Sequence, residues 1–278
     1  MKIIRVFPRK TKATPVDEMA FIGNPPLFRP TDCDIPVRVS VTFTWDIQEG
    51  ERLKELWSHY YHDVTIGGPA LNERGEDFTP GMYLKPGYVI TSRGCPNHCW
   101  FCSVPMREGD IRELPIAEGW NVLDDNLLAC SDDHLRAVFA MLARQKELIE
   151  FTGGLEAARL QPRIVHAMKK LRIKQMFFAY DTPDDLEPLQ AAGKMLIDVG
   201  FTIASHAMRC FVLCGYPKDT IERAEKRILE AMRAGFTPMA MLWKDETGKQ
   251  DREWRKFQRE WARPAIIHSN SKGRKCRL

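Results

Sequence analysis

Gly94-Cys95-Pro96-Asn97-His98-Cys99-Trp100-Phe101-Cys102 places three cysteines in C-x₃-C-x₂-C form. The stretch follows Tyr88-Val89-Ile90-Thr91-Ser92, which reads as a buried strand. Cysteine thiolates on so short a loop can converge on one metal centre as the chain bends back. Three are one fewer than the four that close a tetrahedral zinc site or fill a cubane cluster. A cubane held by Cys95, Cys99 and Cys102 keeps one iron open to a small molecule. The same residues also fit a zinc site with His98 as a further ligand, or plain buried cysteines.

Working outward, the downstream chain alternates strand and helix patterns, which predicts a parallel sheet with crossover helices. Strands are expected over 120–123, 148–152, 175–179, 208–213 and 238–242, after the one at 88–92. Helices are expected over 134–146, 162–171, 186–199 and 220–234, the first capped by Ser131. Upstream, Ile3 to Phe7 reads as a strand and the proline-rich stretch 8–35 as loop. Val37 to Phe43 alternates at period two, Gln48 to Tyr60 has one apolar helical face, and Val64 to Gly68 reads as a short strand. The order expected is therefore β-β-α-β. Downstream, Lys249 to Ala262 carries Trp254, Phe257 and Trp261 at helical spacing, predicting an amphipathic helix, and Lys272, Arg274, Lys275 and Arg277 make a basic tail expected to be solvated.

Composition bounds the rest. The chain has 278 residues, 44% of them hydrophobic, enough for a large core. No apolar run approaches the ~20 residues of a membrane span, and the N-terminus lacks a secretory pattern, so a cytoplasmic protein is expected. Eight cysteines, three of them clustered, fit a reducing compartment better than a disulfide framework. The net charge of +4 permits an anionic partner without arguing for one. Cys210 and Cys214, four apart on a strand, read as core-filling residues.

Cys95, Cys99 and Cys102, with Phe101 before the last, resemble the cluster loop of the radical S-adenosylmethionine (radical SAM) superfamily. The resemblance implies an α/β fold with a partial (β/α)₆ barrel over 88–242, which the residue patterns flank with a small N-terminal α/β region over 1–87 and a C-terminal helix and tail over 243–278. It implies a 4Fe–4S cluster that binds SAM and cleaves it reductively to a 5′-deoxyadenosyl radical, which abstracts hydrogen from a substrate. It also implies an electron donor such as flavodoxin or ferredoxin, with nucleic acid or protein among the candidate substrates.

Candidate SAM contacts follow at the strand ends. Asp124, Asp125 and Asn126 stand where the superfamily carries its Gly-Gly-Glu segment. Gly153, Gly154 and Glu156, with Arg159, follow the third strand. Tyr180 and Asp181 follow the fourth, and Gly215 follows the fifth. The N-terminal region resembles a shortened cobalamin-binding domain but lacks the Asp-x-His-x-x-Gly pattern, since Asp63 follows His62. Cobalamin is therefore not expected. The competing reading is a zinc or iron–sulfur nucleic-acid-binding protein without SAM chemistry, drawn from the basic tail and its tryptophans.

Overall fold

Ile4-Arg5-Val6-Phe7 is buried along its whole length, and it is an inner strand of the first of two units into which the computed structural model divides. The structure describes residues 2–244, 251–262 and 267. The first unit spans 1–119 and the second 120–278.

In the first unit, β1 (Ile4–Phe7), β2 (Ala20–Ile22), β3 (Val37–Ser40) and β4 (Val64–Gly67) form a parallel sheet in the order β2-β1-β3-β4. The helix α1 (Ile47–Ser58) joins β3 to β4. Leu53 and Trp57 share one helical face and pack with Ile4, Val6, Val37 and Val39. Burying Leu53 alone contributes about 2 kcal/mol. The buried Arg5 is tolerated in β1 because its guanidinium donates to the Gly81 and Met82 carbonyls, each at 2.9 Å, and pairs with Asp17.

The strand β2 corrects the expectation that 8–35 is all loop, so the order is β-β-β-α-β. Three residues are too short to show alternation. They hold their place through Phe21, whose ring centroid lies 5.3 Å from that of Trp57, and through parallel pairing with β1.

The expected single strand at 88–92 is also divided. β5 (Tyr88–Val89) ends before β6 (Ser92–Arg93), which pairs antiparallel with β7 (Arg112–Glu113). Between β6 and β7 lies a loop containing the three cysteines and α2 (Val104–Glu108).

The second unit contains β8 (Asn121–Val122), α3 (Asp132–Ala143), β9 (Ile149–Leu155), α4 (Pro162–Lys169), β10 (Ile173–Tyr180), α5 (Leu186–Asp198), β11 (Met208–Cys214), α6 (Ile221–Arg233), β12 (Thr237–Leu242) and α7 (Arg252–Trp261). Every neighbouring pair from β8 to β12 is parallel and sequential. Parallel neighbours need crossovers, which the helices supply, so the C-terminal strand ends gather on one edge.

Local chemistry explains the helix starts. The Ser131 hydroxyl accepts from the His134 N–H at 3.3 Å, Thr220 accepts from Arg223 at 3.3 Å, and the Asp251 carboxylate accepts from Glu253 at 2.6 Å. The C-terminal helix is amphipathic as expected. Phe257 and Trp261 are buried, and the Gln258 amide donates to the Ala240 carbonyl on β12 at 3.5 Å. The basic tail lies outside the described residues. Among the described residues, no helix is long and apolar enough to cross a membrane.

Candidate metal and cofactor site

The cysteine loop is closed at its base by the β6–β7 ribbon. Gly94 opens it with φ +87°, and a Cβ there would lie 2.2 Å from the Asp110 carbonyl oxygen. Only glycine satisfies both conditions. The Cys95 N–H donates to the Gly109 carbonyl at 3.1 Å, and the Cys102 N–H to the Cys99 carbonyl at 3.0 Å. The second bond turns the chain between the last two cysteines. Cys95 and Cys102 are half-buried and Cys99 is exposed. Phe101 is half-buried, its ring edge-on to Trp100 at 5.3 Å.

Glu108, which sequence reasoning missed, anchors the loop. Its side chain is 1% exposed and accepts from the Gly75 N–H at 3.0 Å and from Arg107 Nε at 2.9 Å. Arg93 and Arg112 approach it at 3.8 Å from the two arms of the ribbon. A buried carboxylate is tolerated only when paired and hydrogen-bonded. Here the pairing ties both arms and α2 to one point. The signal in the sequence was three arginines around one glutamate, but it becomes readable only once 92–93 and 112–113 are known to pair. Reduced cysteines at one turn, one of them exposed, are the donor chemistry that a three-thiolate cluster requires.

At the strand ends of the second unit, Asp124 and Asn126 are buried and Asp125 is half-buried. The Asn126 amide donates to Glu156 Oε2 at 2.7 Å, and Arg159 Nε donates to the same oxygen at 2.6 Å. Residues expected from two different strand ends thus meet.

Gly153 and Gly154 lie inside β9 rather than after it. The pairing steps from Phe151–Met176 to Leu155–Phe178, so a bulge absorbs the extra β9 residues at the glycines. A Cβ on Gly153 would lie 2.1 Å from the Asp124 carbonyl oxygen, so this glycine admits a neighbouring strand end.

The Tyr180 hydroxyl donates to Glu230 Oε2 at 2.7 Å. Burial first, and the Glu230 carboxylate second, raise its pKa well above the ordinary phenol value. Asp181 accepts from the Leu213 N–H at 3.2 Å. Burial and then the nearby Asp185 charge raise its pKa to about 7.

The Gly215 N–H donates to Asp219 Oδ2 at 2.9 Å. Asp219 pairs with Arg227 at 2.8 Å, and Arg227 also donates to the Leu213 carbonyl at 2.8 Å. This buried pair fixes the turn after β11. Leu242 and the Trp254 ring cover the Cβ side of Gly215. Cys210 and Cys214 are buried, and desolvation pushes the Cys214 thiol up to about 12, as suits core residues.

No protein-family description matches the sequence, and no curated protein matches it either. Among solved structures, the chain is similar to a radical S-adenosylmethionine methyltransferase, TsrM, from Kitasatospora setae, solved with cobalamin and a 4Fe–4S cluster bound. The TM-score is 0.54 at 11% identity, covering 74% of this chain and 63% of the methyltransferase. At that identity the likeness shows a shared α/β fold. The chain spans less than two thirds of that enzyme's length.

Proposed function

We propose that this chain is a radical SAM enzyme. The observation that carries the reading is the C-x₃-C-x₂-C loop, set on a braced ribbon in a chain whose fold resembles that of a radical SAM methyltransferase. Cys95, Cys99 and Cys102 would hold a 4Fe–4S cluster, leaving one iron for the amino and carboxylate groups of SAM. When bound, that cluster supplies one chemistry: an electron that cleaves SAM to methionine and a 5′-deoxyadenosyl radical able to abstract hydrogen from an unreactive C–H bond. The proposed architecture is a partial (β/α)₆ barrel over 88–242, a small region over 1–87 and a C-terminal helix and tail over 243–278.

The chain's own residues bind, orient and shield. Asp124, Asp125 and Asn126 offer acceptors for the SAM ammonium. Glu156, held by Asn126 and Arg159, and Asp181 offer acceptors for ribose hydroxyls. Gly154, with open space on its Cβ side, keeps the backbone low at this edge, Gly153 lets the Asp124 strand end approach, Gly215 turns the chain against Leu242 and Trp254, and Tyr180 stiffens the edge through Glu230. Phe101 flanks the thiolates. The electron donor is proposed to be a flavodoxin or ferredoxin, the compartment the cytoplasm, and the substrate a nucleic acid or protein. Cobalamin is not part of the proposal, because the Asp-x-His-x-x-Gly pattern is missing from the sequence.

The test is anaerobic reconstitution with iron and sulfide, followed by reduction with SAM present. The expected result is about four irons per chain, absorption near ~400 nm, and release of 5′-deoxyadenosine and methionine. Cys99→Ala is expected to lose both the absorption and the SAM cleavage. SAM cleavage retained by that variant would sink the assignment, and one zinc without iron would favour a metal-organised binding protein instead.

A further inference from the structure

A second donor set lies in the first unit, away from the cysteine loop in sequence. Cys33 and Asp34 sit in the segment leading into β3, and His62 sits two residues before β4. These strands are parallel neighbours, so both leading segments reach the N-terminal edge of the sheet. There the Cys33 sulfur, an Asp34 carboxylate oxygen and a His62 ring nitrogen all lie within 4.8 Å of one another. His62 Nδ1 is 3.1 Å from Asp34 Oδ1.

The backbone fixes this convergence. The His62 N–H donates to the Cys33 carbonyl at 3.0 Å, so the two segments are joined where their side chains meet. The Asp34 N–H donates to Asp32 Oδ1 at 3.1 Å, and the Tyr61 hydroxyl donates to the Pro30 carbonyl at 2.5 Å. Tyr61 itself is buried beside Trp57, with ring centroids 5.7 Å apart. Asp63, adjacent to His62, is turned away to a bidentate pair with Arg38 at 2.8 and 2.9 Å.

We propose that Cys33, Asp34 and His62 bind a divalent zinc ion, with water as the fourth ligand. One thiolate, one imidazole and one carboxylate match the sulfur, nitrogen and oxygen donors that zinc accepts. Two ligands on a tetrahedral zinc with bonds of about 2.1 Å are separated by about 3.4 Å, close to the His62–Asp34 spacing. The Cys33 sulfur already lies within 4.8 Å of both other donors, and Cys33 is half-buried while Asp34 and His62 are exposed. The ion would clamp the long 8–35 segment to the start of β4. This site does not depend on the radical SAM reading.

The test uses the full chain, reconstituted anaerobically, stripped of loose metal with a chelator, exposed to Zn²⁺ and desalted. Zinc and iron per chain are measured, and the alkylation rate of Cys33 is followed by peptide mass spectrometry. The expected result is about one zinc per chain and Cys33 alkylation slowed about 10-fold or more. His62→Ala and Cys33→Ser are each expected to lose the zinc and keep the iron, while Asp63→Asn keeps both. An unchanged Cys33 alkylation rate in wild-type protein overturns the proposal without relying on any variant. Zinc that persists in both His62→Ala and Cys33→Ser but vanishes in Cys99→Ala also overturns it, because that metal belongs to the cysteine loop.

Discussion

Gly94 illustrates how a single backbone position governs the cysteine loop. Its φ of +87° costs an L-residue about 1 kcal/mol, and the 2.2 Å approach to the Asp110 carbonyl adds a clash with rigid backbone. Gly94→Ala is expected to destabilise the ribbon by about 2–3 kcal/mol and to lower iron retention after reconstitution, with the far-ultraviolet spectrum of the rest preserved. Iron content and a denaturation curve check it. Asp181 makes a different residue-scale prediction. In the unfolded chain it ionises above about pH 4. In the folded chain burial and the Asp185 charge hold its pKa at about 7. Between those values the folded state binds more protons than the unfolded state, so Asp181 costs stability as pH rises through that window. The thermal midpoint of the wild type is expected to fall between about pH 4 and about pH 7, by an amount reduced in Asp181→Asn. Equal slopes in the two proteins would remove Asp181 as the cause.

The elements of the second unit were legible because each carries its own periodic signal. Leu186 to Asp198 and Ile221 to Arg233 show apolar residues at helical spacing, and Ser131 announces its helix by capping chemistry, whereas Thr220, expected as a helical residue, caps its helix instead. What was not legible depends on partners distant in sequence. β2 exists because Phe21 reaches Trp57, and the break after Val89 exists because 92–93 pairs with 112–113. Likewise, the cysteine spacing could be read directly, but the anchor beneath it could not. Glu108 looks like one more charged helix residue until Arg93, Arg107 and Arg112 surround it. Removing one partner of a buried ionic cluster costs about 3–5 kcal/mol, because uncompensated charge stays behind. Glu108→Ala is therefore expected to loosen both arms of the ribbon. Amide exchange at Cys95 and Leu114 is expected to rise, together with loss of iron. Unchanged protection at those two amides would show that the ribbon stands without the glutamate.

At the scale of the molecule, the two units have separate cores, and the candidate functions divide between them. The first core gathers around Trp57 and Leu53, in the unit that also holds the cysteine loop and the Cys33–Asp34–His62 group. The second gathers around Phe151, Met176, Phe178 and Phe236, under the strand ends carrying Asp124 and Asp181. Trp57 and Phe178 are each fully buried, so truncating either to alanine is expected to cost about 3–5 kcal/mol. Their consequences should differ in kind. Trp57→Ala weakens the unit that contains the three cysteines of the proposed cluster, so iron per chain is expected to fall after reconstitution. Phe178→Ala loosens β10, whose end carries Tyr180 and Asp181, in the unit that does not contain the three cysteines. That variant is expected to keep the wild-type iron content and ~400 nm absorption but to lose most SAM cleavage. Iron assay and 5′-deoxyadenosine release, measured on the same samples, separate the two cases. If Phe178→Ala loses iron as readily as Trp57→Ala, metal binding depends on both cores and the division of labour is wrong.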